Sequence, residues 1–483
     1  MTGPVLVVGA GPVGLTMAME LARYRVPIRI IDKTPARTDQ SRALAVWART
    51  LELLDRAACA DPFVATGLQA TAVAILAGRE QIARVALDEV ESAFPGVLLI
   101  PQSDSERLIE THLQGLGVTV ERRTELSAFI DRGECVACTL RHSAGGIETV
   151  EASWLVGCDG AHSFVRQALG KPFLGDTLPT NVVLADVHVA GLAIPPTELA
   201  VFWHRDGVLV FFPIGQGRYR IVADIGATPR HDPSLAEAQA LVGRRGPGGV
   251  TLADPVWLSG FGINERKVED YRAGRVFLAG DAAHIHSPAG GQGMNTGMQD
   301  AFNLAWKLAL VERGLAKPAL LDSYSTERSA VAAQILAESG RLTRVSTLRN
   351  QLAQHLRNFV AHWLLGLAGV RHAVAQKLSE IAIGYPNSPL NRGSARGGPG
   401  PGERIVADRP FGTGDRPRFA LLAQDSERAQ AILQQYASLL EPVLRAPADE
   451  SGVWLVRPDG YVAAVAPSSD WAAIHDCLAA IRN

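Results

Sequence analysis

With 483 residues the chain has room for about three domains of ~150 residues each, and for a substantial core. Its 47 Lys and Arg against 49 Asp and Glu leave a formal charge of -2, which offers no general basic field for nucleic acid or an anionic membrane and points to a small neutral or weakly acidic partner. Five scattered cysteines, Cys59, Cys135, Cys138, Cys158 and Cys477, are too few for a disulfide framework, so a reducing cytoplasm is expected.

The first residues run within four into Val5–Val8, with no basic region or cleavage site, so no secretory leader is expected. From there the chain reads strand, glycine turn, helix and strand: Val5 to Val8, a helix over Leu15 to Tyr24, then Ile28 to Ile31. The turn, Gly9-Ala10-Gly11-Pro12-Val13-Gly14, matches GxGxxG. Its glycines permit a tight bend, close approach of a pyrophosphate, and packing of helix on strand, while the helix N-terminus favours the phosphate charge. Asp32, with Lys33 beside it, ends the second strand where an adenosine ribose needs an acceptor. These features alone do not separate NAD from FAD.

A second segment, Val156 to Arg166, couples the turn Asp159-Gly160 to Arg166. Read as local chemistry, it is equally a helix-capping Asp159 with a surface Arg166. Residues 172–271 change character: Asn181 to Val189, Leu199 to Trp203, Val208 to Phe212 and Tyr219 to Asp224 are strand-like runs joined by turns, an inserted antiparallel sheet domain. Phe202, Trp203, Phe211 and Phe212 are candidate pocket walls, although alternation assigns half of them to the core.

The strand Val276 to Ala279 then delivers Gly280-Asp281, followed by Pro288-Ala289-Gly290-Gly291-Gln292-Gly293-Met294-Asn295. Asp281 at a strand end suits ribityl hydroxyls, the glycines let backbone pass close to a flat ring, and a helix from near Asn295 to Arg313, closed by Gly314, aims its positive end at that ring. His284 and His286 lack the spacing of a metal site and read as loop histidines; no metal is expected. The Cys135–Cys138 pair, in a strand-like run without a second ligand pair, reads as structural.

No apolar run approaches the ~18 residues needed to cross a bilayer. The most apolar short stretch, Trp363 to Ala368, reads as a core helix, the alternative being a helix on a membrane surface, and no membrane partner is expected. Gly393 to Gly402 reads as a linker before a small C-terminal unit with a strand over Phe419 to Leu422, a helix over Ala429 to Leu440, and a hairpin turning at Pro458-Asp459-Gly460.

Together the three glycine segments resemble the class A flavoprotein monooxygenases, the aromatic hydroxylases of the p-hydroxybenzoate hydroxylase type, from residue 4 to about 340. The resemblance implies an α/β fold: a Rossmann-like FAD-binding domain over 1–171 and 272–392, a substrate-binding β-sheet domain over 172–271, and a thioredoxin-like domain over 403–483, as in the phenol and polyketide hydroxylase branch. The last has only Cys477, so disulfide exchange is not expected. It further implies that Arg42, in Ser41-Arg42-Ala43, and Gln102 touch FAD. Asp159, Gly160 and Arg166 would serve both FAD and NAD(P)H, Pro288 and Gly291 would lie beside the flavin, and Gly293, Met294 and Asn295 would present backbone to its pyrimidine edge.

The implied activity is hydroxylation of a small phenolic or polyketide-like aromatic with NAD(P)H and O2 through a flavin C4a-hydroperoxide. FAD is non-covalent, and NADPH the preferred reductant. No second dinucleotide fold is found, so NAD(P)H is expected to bind transiently near Arg166. No residue stands out as the base that ionises a phenol. The alternatives are a halogenase or oxidase on the same fold, or a flavoprotein that only binds FAD or a ligand; the halogenase WxWxIP segment is not found. A cytoplasmic monomer or homodimer is expected.

Overall fold

The computed structural model describes residues 3–483 except 39, 40, 42, 144, 395 and 396. A six-stranded sheet forms its first layer, in the order Arg272–Ala273, Val276–Leu278, Leu155–Gly157, Val5–Val8, Ile28–Asp32, Glu121–Arg122. Every neighbouring pair is parallel except the hairpin at 272–278. Val5–Val8, Leu155–Gly157 and Val276–Leu278 are buried throughout, as unbroken apolar runs in a covered parallel sheet should be.

The register decides what this sheet positions. Val8 pairs with Gly157, and Gly157 with Leu278. Three segments separated by more than a hundred residues therefore leave the sheet side by side at its carboxyl edge, where open α/β sheets place ligands. The first helix, Pro12–Arg23, begins at Gly11 and packs on a second, Gly293–Glu312, along the same edge. Their closeness depends on lost side chains: a Cβ on Gly297 would stand 2.7 Å from Val13 Cγ2 and 3.1 Å from Gly280 Cα.

The second layer is an eight-stranded sheet ordered His284–Ile285, Thr251–Lys267, Leu174–Ala190, Arg218–Gly226, Gly207–Gly215, Glu198–His204, Ala72–Ala77, Glu80–Ala86. All four strand-like runs of the sequence lie within it. Three strands come from outside 172–271: Ala72–Ala77 pairs parallel with Glu198–His204, Glu80–Ala86 forms one edge, and His284–Ile285 forms the other against Arg266 and Lys267. Helix Leu235–Arg245, started by a Ser234–Glu237 capping box, covers one face. Phe202, Phe211 and Tyr219 fill the core below it, with Phe202 and Phe211 edge to face at 5.7 Å.

The C-terminal unit is a four-stranded sheet ordered Arg392–Gly393, Val462–Pro467, Gly452–Val456, Ala420–Leu422. Its first strand runs into the stretch that reads as a linker, Arg392 and Gly393 pairing parallel with Ala464 and Val465. The expected helix to Leu440 stops at Gln435; Leu439 and Leu440 are buried and turn back, Phe419 N donating to Leu439 O at 2.8 Å.

Of the stretch from Trp363 to Ala368, Leu365 packs on a core cluster and the rest is exposed. The stretch ends a helix, Gln351–Gly366, whose buried residues are Gln354 and Arg357, while Trp363 is 65% and Leu367 57% exposed. The inward face is fixed by polar contacts: Arg357 lies 4.4 Å over the Trp203 ring and donates to Val345 O, and His362 Nδ1 is 3.1 Å from Ile82 O on the edge strand. Among the described residues no helix is long and apolar enough to cross a membrane.

Candidate active site

At the carboxyl edge of the parallel sheet the GxGxxG turn is built by exclusion. A Cβ on Gly9, whose φ is +97°, would stand 2.5 Å from Cys158 O, and one on Gly14 only 1.8 Å from Gly9 O. Gly11 faces open space. The helix that starts there has no side-chain cap and carries Pro12 in its first turn, so the N–H groups of Val13 and Gly14 have no side-chain acceptor. That is an anion cradle at a helix N-terminus.

Asp32 ties the second strand to this cradle: Oδ2 accepts from Ala10 N at 2.7 Å and Oδ1 from Thr34 N at 2.8 Å. Lys33 is exposed. Beyond Asp32 a polar cleft of about 510 Å³ is lined by Arg37, Thr38, Arg107, Glu110 and Arg122. Gln102 starts the helix Gln102–Gly115; its Oε1 accepts from Ala43 N at 3.2 Å and its Nε2 donates to Glu106 at 2.9 Å. Arg42 lies outside the described residues.

The Asp159-Gly160 turn does the capping that local chemistry allowed: Asp159 accepts from Ser163 Oγ at 2.5 Å and from Val165 N at 3.1 Å. Gly160 has φ +80°. Arg166 is not a surface residue. It is 5% exposed, lies 3.9 Å over the Phe173 ring, and donates to Ala161 O at 2.8 Å and Ala282 O at 3.1 Å. It thereby staples this turn to the Gly280-Asp281 turn, and desolvation holds its guanidinium below the usual arginine value.

Gly280 (φ +60°) packs on Val13, and Asp281 faces outward from a short 3-10 turn. The glycine loop that follows is clamped from beneath. Buried Asn295 accepts from Trp47 N at 2.9 Å and donates to Ala45 O at 2.8 Å and Gly291 O at 3.1 Å, while Trp47 Nε1 donates to Gly290 O at 3.0 Å. Asn295 thus spends its side chain on the scaffold. Gly293 and Met294 open the helix Gly293–Glu312, which has no side-chain cap, and Pro288 is exposed beside them.

Behind the loop sits a buried polar group that sequence reading does not assign. Asp300 accepts from Gly280 N at 3.0 Å, from Arg328 Nε at 2.6 Å, and lies 2.7 Å from His284 Nε2. Burial pushes the Asp300 carboxyl up, but Arg328 and His284 outweigh it and hold the carboxyl below its ordinary range. His284 is therefore a buried member of this group rather than a loop histidine, stacked on Tyr271 at 5.8 Å. His286 stacks on it in turn at 6.5 Å, and burial lowers its imidazole to about 4. The only sequence signal was the spacing of Asp300 on the helix, seven residues after Gly293, which points inward with Asn303 and Lys307.

The sheet face opposite Phe202 and Phe211 turns toward this edge. Phe212, Arg220, Asp186 and Trp257 are cross-strand neighbours on it. Arg220 and Asp186 form a two-pronged pair at 2.7 Å each, and Arg220 Nη1 reaches Ala43 O at 3.4 Å. Of the four aromatics considered from sequence, Phe202 and Phe211 are core, Trp203 is buried under Arg357, and Phe212 packs toward Trp47 and Leu44.

These residues fit FAD: a pyrophosphate cradle, an acid at each end, and a glycine loop backed by an uncapped helix. A family model described as "FAD binding domain" matches residues 2–339. The 6-methylpretetramide 4-monooxygenase of Streptomyces rimosus is 37% identical over 96% of this chain and 90% of its own length. Pentachlorophenol 4-monooxygenase of Sphingobium chlorophenolicum is 31% identical over 95% and 88%. The solved structure of OxyS anhydrotetracycline hydroxylase from Streptomyces rimosus superposes with a TM-score of 0.82 at 28% identity, covering 100% of this chain and 99% of that one. FAD as cofactor, NAD(P)H as co-substrate and the monooxygenase class follow from this kinship. The protein belongs to the FAD-binding family of aromatic monooxygenases, as its three glycine turns implied.

Proposed function

We propose that this enzyme hydroxylates a polycyclic phenol, held between the glycine loop at Pro288–Gly291 and the sheet face that carries Phe212 and Trp257. The observation that carries the reading is the pairing of Arg220 with Asp186 in the middle of that face, with Arg220 also on Ala43 O. It sets a fixed polar point between two aromatic side chains, the recipe for orienting a flat ring system with oxygen substituents. Relatives named for acting on 6-methylpretetramide and anhydrotetracycline, both spanning nearly the whole chain, support the substrate class.

FAD, when bound, supplies hydride acceptance and oxygen activation, chemistry beyond any side chain. Gly9, Gly11, Gly14, Asp32, Gln102, Asp281, Gly293 and Met294 are the residues proposed to hold it, and Arg166 to position the two turns against which NADPH docks. Pro288 and the Trp47–Asn295 clamp keep the loop in place and shield the reacting face from water. We further assign residues 403–483 as a thioredoxin-like unit without redox chemistry, and the whole as a cytoplasmic monomer or homodimer.

The test is aerobic NADPH oxidation with product analysis on a tetracyclic phenol and on single-ring phenols. The tetracyclic compound should gain one oxygen atom with kcat/KM at least about tenfold higher, the scale of a lost ring contact. Oxidation yielding only hydrogen peroxide, or equal turnover of single-ring phenols, refutes the assignment.

A further inference from the structure

Eighteen large apolar side chains are exposed among the described residues, and nine of them lie between Leu342 and Leu367. The clustering comes from the inverted helix Gln351–Gly366. Leu352, Leu356, Phe359, Trp363 and Leu367 recur at intervals of three and four, one helical stripe, and are 81%, 63%, 63%, 65% and 57% exposed. A stripe of this kind ordinarily faces a core; here Gln354 and Arg357 take the inner side. The stripe lies on a helix packed against the edge strand Glu80–Ala86.

The charge along this segment is one-sided. Between Glu338 and Glu380 the chain has no Asp or Glu, yet it has Arg341, Arg344, Arg349, Arg357, Arg371 and Lys377. Arg349 is paired with Asp224 and Lys377 with Glu338, and Arg357 is buried. Arg341 and Arg344 are exposed on the preceding helix, Arg344 near enough to Glu265 to act on its carboxyl, and Arg371 donates to the Leu365 and Gly366 carbonyls at the end of the stripe. A net charge of -2 over the whole chain does not cancel this, because charges act over a screening length of about 8 Å. A second copy of the chain seated on this face would bring two acid-free cationic segments together.

We propose that the helix Gln351–Gly366 docks the enzyme on the surface of an anionic phospholipid bilayer, its Leu, Phe and Trp stripe in the headgroup boundary and Arg341, Arg344 and Arg371 toward the lipid phosphates. At 16 residues the helix is too short to span, and an apolar stripe with aromatic and leucine side chains beside arginines suits a segment lying in the interface plane. This local pattern overrides the expectation of no membrane partner drawn from overall composition.

The experiment is cosedimentation of the FAD-loaded enzyme with sucrose-filled vesicles, either phosphatidylcholine alone or equal phosphatidylglycerol and phosphatidylcholine. The wild type should bind the anionic vesicles at least about tenfold more tightly, with the difference shrinking in high salt. The triple variant Leu356→Gln, Phe359→Gln, Trp363→Gln should keep its flavin and lose that binding by at least about tenfold. Should the triple variant fail to fold, Arg341→Gln with Arg344→Gln takes its place and must weaken anionic binding alone. No binding to anionic vesicles, equal binding to both kinds, or binding unchanged in the variants overturns the proposal. So does a dimeric wild type in sedimentation velocity whose triple variant is monomeric while neither binds lipid, since a second copy would then own the face.

Discussion

Arg328 donates from Nε to Asp300 Oδ1 at 2.6 Å, and neither side chain reaches solvent. The other carboxylate oxygen of Asp300 takes Gly280 N and meets His284, so one ion pair sets the turn that presents Asp281. Asp300→Ala strands a buried guanidinium and frees that turn. Breaking such a pair costs about 3–5 kcal/mol. The variant should unfold at lower urea and emerge with depleted flavin; wild-type midpoint and occupancy would show that the pair does not shape the site.

Asp281 itself is exposed, in a short 3-10 turn. Asp281→Ala should therefore keep the wild-type circular dichroism of the flavin-free protein while weakening FAD binding by about tenfold or more, the value of about 1.5–3 kcal/mol for a hydrogen bond to a charged group. Titration of the apoprotein with FAD measures it. Full affinity in the variant would remove Asp281 from the flavin site.

At the other end of the long helix, Arg457 of the C-terminal hairpin reaches Glu327 at 2.8 and 3.0 Å, all within the core, and Lys307 lies 2.8 Å from the same carboxylate. Desolvation lowers Lys307 to about 8, and Arg457 with Lys307 outweighs burial to hold Glu327 far below the carboxylate range. Arg457→Met should cost about 3–5 kcal/mol in urea unfolding. Flavin affinity should be unchanged at low temperature, since all proposed cofactor residues precede 300. A loss of affinity without loss of stability would contradict this separation.

Glu380 is fully buried against Gln299 and Thr296, and burial raises its carboxyl to about 8. The folded state then holds a proton that the unfolded chain releases above its ordinary value near 4.5. The sign follows: stability is fully present below about 4.5 and declines as pH rises through about 8. Glu380→Gln should remove this decline, gaining at most about 4 kcal/mol over wild type at pH 8 and little at pH 5. Urea unfolding at both pH values checks it; parallel pH dependence in the two proteins would show Glu380 ionised.

Gly9, Gly11 and Gly14, Asp159-Gly160 and Gly280-Asp281 were legible as linear motifs because each needs a particular backbone freedom or charge at a strand end, and such needs are written locally. The strands and helices carrying them were legible for the same reason, since Val5–Val8 and Val276–Leu278 are buried on both sides and must be apolar. What only the tertiary structure decided is which side chains serve those turns. Arg166 is a staple because its guanidinium, held over Phe173, meets Ala282 O from more than a hundred residues away. Asp300, Arg328 and His284 form one group because the long helix and the next cross behind Gly280. The inversion of Gln351–Gly366 was not legible because periodicity names a stripe without saying which way it points; Trp203 and the carbonyl of Ile82, both distant in sequence, together with the nearby carbonyl of Val345, turn its polar side inward.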